Sequence, residues 1–262
     1  MTMDHVTLGD GTRLAYRFDG APDAPVLLLS NSLGTDHAMW APQMEGLAQH
    51  FRVLRYDQRG HGASDAPPGA ASMDRLGRDV IELLDALGLR KVDFCGLSLG
   101  GMVGQWLAVH APERIGKLIL ANTSAYMGPP SGWQARIEGV LAHGMAPLAE
   151  ASIGRWFTPA FPEAAPGAVA PIHAMLLVNN PAGYAACCAA IRDMDQRPTA
   201  YLNRLPTLVI AGAEDLATPV EASRFLVEAA ADARLIVLAD AAHLSNLEQA
   251  GGFLDAMLSF LL

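Results

Sequence analysis

The chain has 262 residues, 51% of them hydrophobic and 17% charged, with a formal net charge of −9. That much apolar surface offsets the entropy of ordering, so disorder is excluded, and the length suits one large domain or one domain with an insertion. An acidic surface argues against nucleic acid or an anionic membrane as the main partner, and a small anionic substrate would need a local Arg or Lys.

In chain order, HVTLGDGTRLAYRF at 5–18 reads as two strands joined across Asp10-Gly11, which predicts an antiparallel edge. Short apolar runs at 26–29, 52–56, 92–95 and 117–121 then alternate with helical patterns such as 73–87 and 102–110, the signature of a mostly parallel sheet. From about Ala125 to Pro198 the alternation stops. Nine of the 17 prolines fall there with Trp133, Trp156, Phe157 and Phe161, so short helices and an inserted cap are expected. This divides the chain into a core of residues 1–124 and 199–262 and a helical cap of 125–198. Past the cap come a strand at 207–211, a helix from Val220, a strand at 234–238 and a final amphipathic helix from about Asn246 to Leu262.

The longest unbroken apolar stretch, 184–191, is far shorter than a membrane span, and the N-terminus lacks a basic-then-apolar signal pattern, so a cytoplasmic location is expected. Cys95, Cys187 and Cys188 lack zinc or redox spacing and read as buried small residues in a reducing compartment. Neither a metal nor an organic cofactor is implied, and oligomeric state is not encoded legibly.

Residues 94–101 read FCGLSLGG, a G-x-S-x-G frame from Gly96 to Gly100 between a predicted strand and helix. The turn must be tight enough to lift the Ser98 hydroxyl above the sheet, and flanking glycines remove the side chains that would clash. A helix starting at Ser98 adds free N–H groups and a positive dipole end, suited to a developing oxyanion. A serine nucleophile needs a base and an orienting acid. His243, in DAAHLSN after the strand at 234–238, would hang over the carboxyl edge of the sheet. His5, His37, His50 and His61 precede Ser98, His110 ends the nucleophile helix, and His143 and His173 fall in the cap. For the acid, Asp215 follows the strand at 207–211 and lies nearer the next helix than Glu214, which stays open as the alternative. Asn122, after the strand at 117–121, is not ionisable. The oxyanion hole is expected from the N–H of Leu99 and that of Leu33, in the loop SNSLGTD at 30–36, where Ser32 and Gly34 allow close approach. The glycine-rich YDQRGHGAS at 56–64, with Asp57, Arg59 and His61, reads as a turn supporting the site.

These stretches resemble the α/β-hydrolase superfamily across essentially the whole chain, and more narrowly the 3-oxoadipate enol-lactone hydrolases of aromatic-acid catabolism. The narrower likeness rests on NSLGTDHAMWAPQ at 31–43, RVLRYDQRGHGAS at 52–64, GLSLGGMVGQWLA at 96–108, SGWQARI at 131–137 and AAHLSNLEQ at 241–249. DHAMW and YDQRG depart from the DLHMW and YDTRG of that family, which touches fine substrate choice rather than hydrolysis. The resemblance implies an α/β fold with a mostly parallel eight-stranded sheet flanked by helices. It further implies opening of a small anionic lactone by Ser98 with His243 as base, in the β-ketoadipate pathway. The substrate carboxylate is expected at Arg136 with Trp133, with Arg155, Arg192 and Arg197 as rivals. Alternative readings are a carboxylesterase or carbon–carbon bond hydrolase of the same fold, and, from another class, a hydrolase-fold ligand receptor.

Overall fold

A computed structural model describes residues 3–262. Eight strands, β1 (Asp4–Thr7), β2 (Arg13–Asp19), β3 (Val26–Ser30), β4 (Arg52–Tyr56), β5 (Val92–Leu97), β6 (Ile115–Ala121), β7 (Thr207–Gly212) and β8 (Ala233–Leu238), form one sheet. Their order is β1-β2-β4-β3-β5-β6-β7-β8. β2 runs antiparallel to both β1 and β4, and every other pairing is parallel. The antiparallel edge follows from Gly11, whose φ of 85° suits the turn that the Asp10 carboxylate closes by accepting from the Thr12 N–H. The central strands β3, β5 and β7 are predominantly apolar and largely buried, as expected where helices cover both faces of a parallel sheet.

Those helices are α1 (Ala41–Leu47), α2 (Met73–Ala86) and α3 (Leu99–His110) in the first half of the chain. Between β6 and β7 the chain makes five helices, α4 (Pro130–His143), α5 (Ala146–Trp156), α6 (Phe161–Ala164), α7 (Pro166–Val178) and α8 (Pro181–Asp193). Each has proline in its first turn, where the missing N–H costs nothing. They lie against the loops at the carboxyl ends of the strands: Gly183 meets Gly60, and Leu176 and Tyr184 pack on Gly34. The chain closes with α9 (Val220–Ala229), α10 (Ser245–Glu248) and α11 (Ala250–Leu261). Among the described residues no single helix is long and apolar enough to cross a membrane. All three cysteines are free and buried.

α3 starts at Leu99 with Ser98 as its N-cap, ahead of the apolar pattern at 102–110, and Gly100 and Gly101 in its first turn pack directly on Ser30 and Thr123. One element differs from the sequence expectation. The last helix is broken at Gln249, whose φ of −120° and ψ of 52° are not helical. The break turns the Glu248 carboxylate inward to the Ala242 and Thr158 N–H groups.

Candidate active site

Ser98 occupies the turn between β5 and α3 with φ 57° and ψ −114°, a conformation costing a non-glycine residue about 1–3 kcal/mol. The surroundings hold it there. Its N–H donates to the Ala121 carbonyl at 2.9 Å and its carbonyl accepts from Thr123 Oγ1 at 2.8 Å. A Cβ at Gly96 would lie 2.1 Å from the Gly100 carbonyl oxygen, and one at Gly100 would lie 2.2 Å from that of Ser30, so the turn requires glycine at both.

The three residues picked from the sequence come together from three loops. Ser98 Oγ and His243 Nε2 are 2.9 Å apart, and His243 Nδ1 is 2.9 Å from Asp215 Oδ2. An ionised carboxylate only accepts, so Nδ1 carries the imidazole hydrogen and the Nε2 lone pair faces Ser98. Asp215 also accepts the backbone N–H groups of Ala217 and Thr218, the Thr218 hydroxyl and the Asn122 amide. Burial on its own would raise the Asp215 carboxyl; the neighbouring His243 and the Thr218 hydrogen bonds outweigh it and hold the group well below the usual carboxylate range. Glu214 is exposed, and of the two neighbours it is Asp215 whose carboxylate meets His243 Nδ1.

The sequence reading missed two supporting side chains. Asn122, set aside in the sequence because it cannot ionise, braces Asp215 and the Ala242 carbonyl while accepting from Ser245 Oγ. Glu248 takes the Ala242 N–H, next to His243, together with the N–H and hydroxyl of Thr158 beyond α5. The Leu244 N–H donates to the Trp156 carbonyl at 3.0 Å, so the end of α5 is tied to the histidine loop.

Leu33 and Leu99 border the same region, and among the described residues neither amide has an acceptor. The Asn31 carbonyl accepts from Gly100 N at 3.0 Å, which clamps the β3 loop onto the first turn of α3. Gly34, at φ 83°, donates its N–H to His61 Nε2 at 2.9 Å and receives Asn179 Nδ2 on its carbonyl at 2.7 Å. His61 thus supports the loop from the DQRGHG turn, as expected. Its burial lowers its pKa, in keeping with a neutral ring that accepts from Gly34.

A cavity above Ser98 is bordered by Leu33, His243, Trp133, Arg136, Arg155 and Trp156, among others. Arg136 lies over the Trp133 ring at 5.0 Å and reaches Tyr184 Oη at 3.3 Å, and among the described residues it has no carboxylate partner. Arg155 also borders the cavity. By contrast Arg192 pairs with Asp193 at 2.7 Å and Arg197 with Asp195 at 2.6 Å, and neither borders it. A wider pocket of about 490 Å³ continues outward past Trp133, Arg136 and Arg155 to Pro219 and Ala222. Asp36, His37 and Asp57 converge elsewhere, but Asp57 already accepts from the backbone and ring of His37 and from Ala63 N.

Residues 25–250 match the alpha/beta hydrolase fold family. The chain is 44% identical to 3-oxoadipate enol-lactonase 2 of Acinetobacter baylyi, over 93% of this chain and 91% of that one. It is 34% identical to a Rhizobium rhizogenes protein provisionally named carbamate hydrolase RutD, over 92% and 94%. The crystal structure of the enol-lactonase from Burkholderia xenovorans LB400 superposes with a TM-score of 0.96 at 43% identity, over 98% of this chain and 99% of that one. The chain therefore belongs to the α/β hydrolase fold family, in the group that includes the 3-oxoadipate enol-lactonases.

Proposed function

We propose that the protein opens the ring of 3-oxoadipate enol-lactone by serine catalysis, giving 3-oxoadipate in the cytoplasmic β-ketoadipate pathway. The observation that carries this reading is the Ser98–His243–Asp215 chain, opening on a cavity where Arg136 has no acidic partner among the described residues. Similarity to named enol-lactonases supports the substrate.

In this mechanism His243 Nε2 takes the Ser98 proton as Oγ attacks the ring carbonyl, and Asp215 stabilises the imidazolium. The N–H groups of Leu33 and Leu99 hold the carbonyl oxygen as it gains charge. Collapse of the tetrahedral intermediate breaks the ring C–O bond. The leaving oxygen belongs to an enol, a better leaving group than an alkoxide, so proton return from His243 is less demanding, and the enol tautomerises to the ketone. Water, deprotonated by His243, then releases the acyl group. Arg136, with its guanidinium held over Trp133, takes the substrate carboxylate.

The test follows ultraviolet loss of freshly generated enol-lactone with wild type and Ser98→Ala, beside neutral esters and carbamates. Fast loss that depends on Ser98, with weak ester cleavage, supports the assignment. Carbamate turnover above that of the lactone would move it to the activity named for the 34% identical relative; good ester cleavage without lactone loss would leave an esterase.

A further inference from the structure

Ser32 sits beside Leu33 on the loop after β3, is 2% exposed, and borders the cavity together with Ser98 and His243. Both of its backbone groups are spent. Its N–H points at Met39 Sδ at 3.3 Å, and its carbonyl accepts from the N–H and hydroxyl of Thr35 at 3.2 and 2.8 Å. The side-chain hydroxyl is different: buried, and without any hydrogen-bond partner. Among the described residues, Ser32 is the one cavity residue with such an orphaned side-chain atom. Burying a hydroxyl unpaired is unfavourable, and a methyl group would fill the same space at no such cost, unless the hydroxyl gains a partner when the cavity is occupied.

The Asn31 carbonyl is fixed on Gly100 N at 3.0 Å, so Ser32 and Leu33 follow directly on a residue clamped to the first turn of α3, where the Leu99 amide has no acceptor among the described residues. On the far side the Gly34 N–H is anchored on His61. The segment is held at both ends, and its unused donors are the Leu33 amide and the Ser32 hydroxyl.

We propose that the Ser32 hydroxyl is a third donor to the oxyanion, beside the amides of Leu33 and Leu99; this rests on Ser98 being the nucleophile. As the Ser98 Oγ–carbon bond forms, the carbonyl π electrons move onto oxygen and the Ser32 O–H hydrogen bond strengthens. Its proton stays on Ser32. When the intermediate collapses the charge leaves that oxygen and the bond relaxes, so the contact acts on the transition state more than on bound substrate.

The experiment compares wild type, Ser32→Ala and Ser98→Ala with p-nitrophenyl acetate as substrate and phenylboronic acid as a tetrahedral, anionic adduct former. Ser32→Ala is expected to lower kcat and kcat/KM together by about 10- to 100-fold, with KM within about twofold, and to weaken the boronate by a similar factor. Its Tm is expected to hold or rise, because an unpaired buried hydroxyl has been replaced by a methyl group. Unchanged kcat and boronate affinity would overturn the proposal, as would a rise in KM alone or a lower Tm with unaltered rate. If Ser98→Ala abolishes turnover while Ser32→Ala has no effect, only the third donor fails; turnover surviving in Ser98→Ala removes the nucleophile and the third donor together.

Discussion

Replacing Asp215 by asparagine exchanges one acceptor oxygen for an NH2 group at a carboxylate that receives five hydrogen bonds. If the remaining oxygen faces the rigid N–H groups of Ala217 and Thr218, the NH2 group is directed at Thr218 Oγ1, Asn122 Nδ2 and His243 Nδ1. The threonine hydroxyl can rotate and accept. Asn122 cannot turn, since its amide also serves the Ala242 carbonyl and its oxygen accepts from Ser245. His243 escapes the donor-to-donor contact only by moving its hydrogen to Nε2, where it faces Ser98 and can no longer take a proton. The opposite amide orientation leaves two buried backbone donors opposed, which is worse. A wrong tautomer in a serine triad costs about 10,000-fold in kcat, or about 5 kcal/mol of barrier. The unmatched Asn122 donor adds roughly 1–3 kcal/mol of destabilisation. Steady-state turnover of p-nitrophenyl acetate and a thermal melt measure both. A folded Asp215→Asn protein with kcat within about tenfold of wild type would refute the assigned role of Asp215.

Arg136→Gln should raise KM for the anionic lactone by about tenfold or more while leaving a neutral ester nearly unchanged, and Arg197→Gln, whose charge is spent on Asp195, should do neither. Equal effects of the two on KM would remove the carboxylate clamp. Glu248→Gln puts an NH2 group among three donors from Thr158 and Ala242, so a loss of about 1–3 kcal/mol in stability and a lower kcat are expected together; a melt and a rate constant that both match wild type would contradict it. His61 has a pKa lowered by burial, so its contribution to stability is complete above the unfolded value of about 6.5 and is lost as pH falls from there toward the depressed native value. Melting curves from about pH 5 to 8 should therefore fall less steeply on the acid side for His61→Gln than for wild type, and parallel curves would count against a neutral His61. Gly34→Ala should impair folding or activity, since the residue sits at φ 83° and a Cβ would come within 2.7 Å of Leu176 Cδ2.

Much of this arrangement is legible in the chain because it is local. The sheet's inner strands are short apolar runs, and Ser98, Asp215 and His243 each lie in the loop after one of these strands or the edge strand β8, so the carboxyl edge gathers them. The glycines at 96 and 100 mark the nucleophile turn for a steric reason that holds without knowing the fold. What escapes is information held in distant contacts. Glu248 looks like an ordinary charge in a helical pattern, yet Thr158 lies 90 residues away from it. The choice among cap arginines was half readable: Arg192 and Arg197 have aspartates one and two residues away and pair with them. That rule fails for Arg136, two residues from Glu138, because Glu138 accepts from Gln134 instead.

The ties between α5 and the histidine loop make the roof over Ser98 asymmetric. Lifting α5 would break the Leu244–Trp156 hydrogen bond and both Glu248 contacts to Thr158, and so disturb Ala242 beside the base. The wider pocket lies between α4 and the start of α9, with Arg136 and Trp133 at its rim and Arg155 of α5 on its border. Substitutions that loosen the end of α5 are therefore expected to reach the histidine loop through these hydrogen bonds, whereas those on α4 leave them intact.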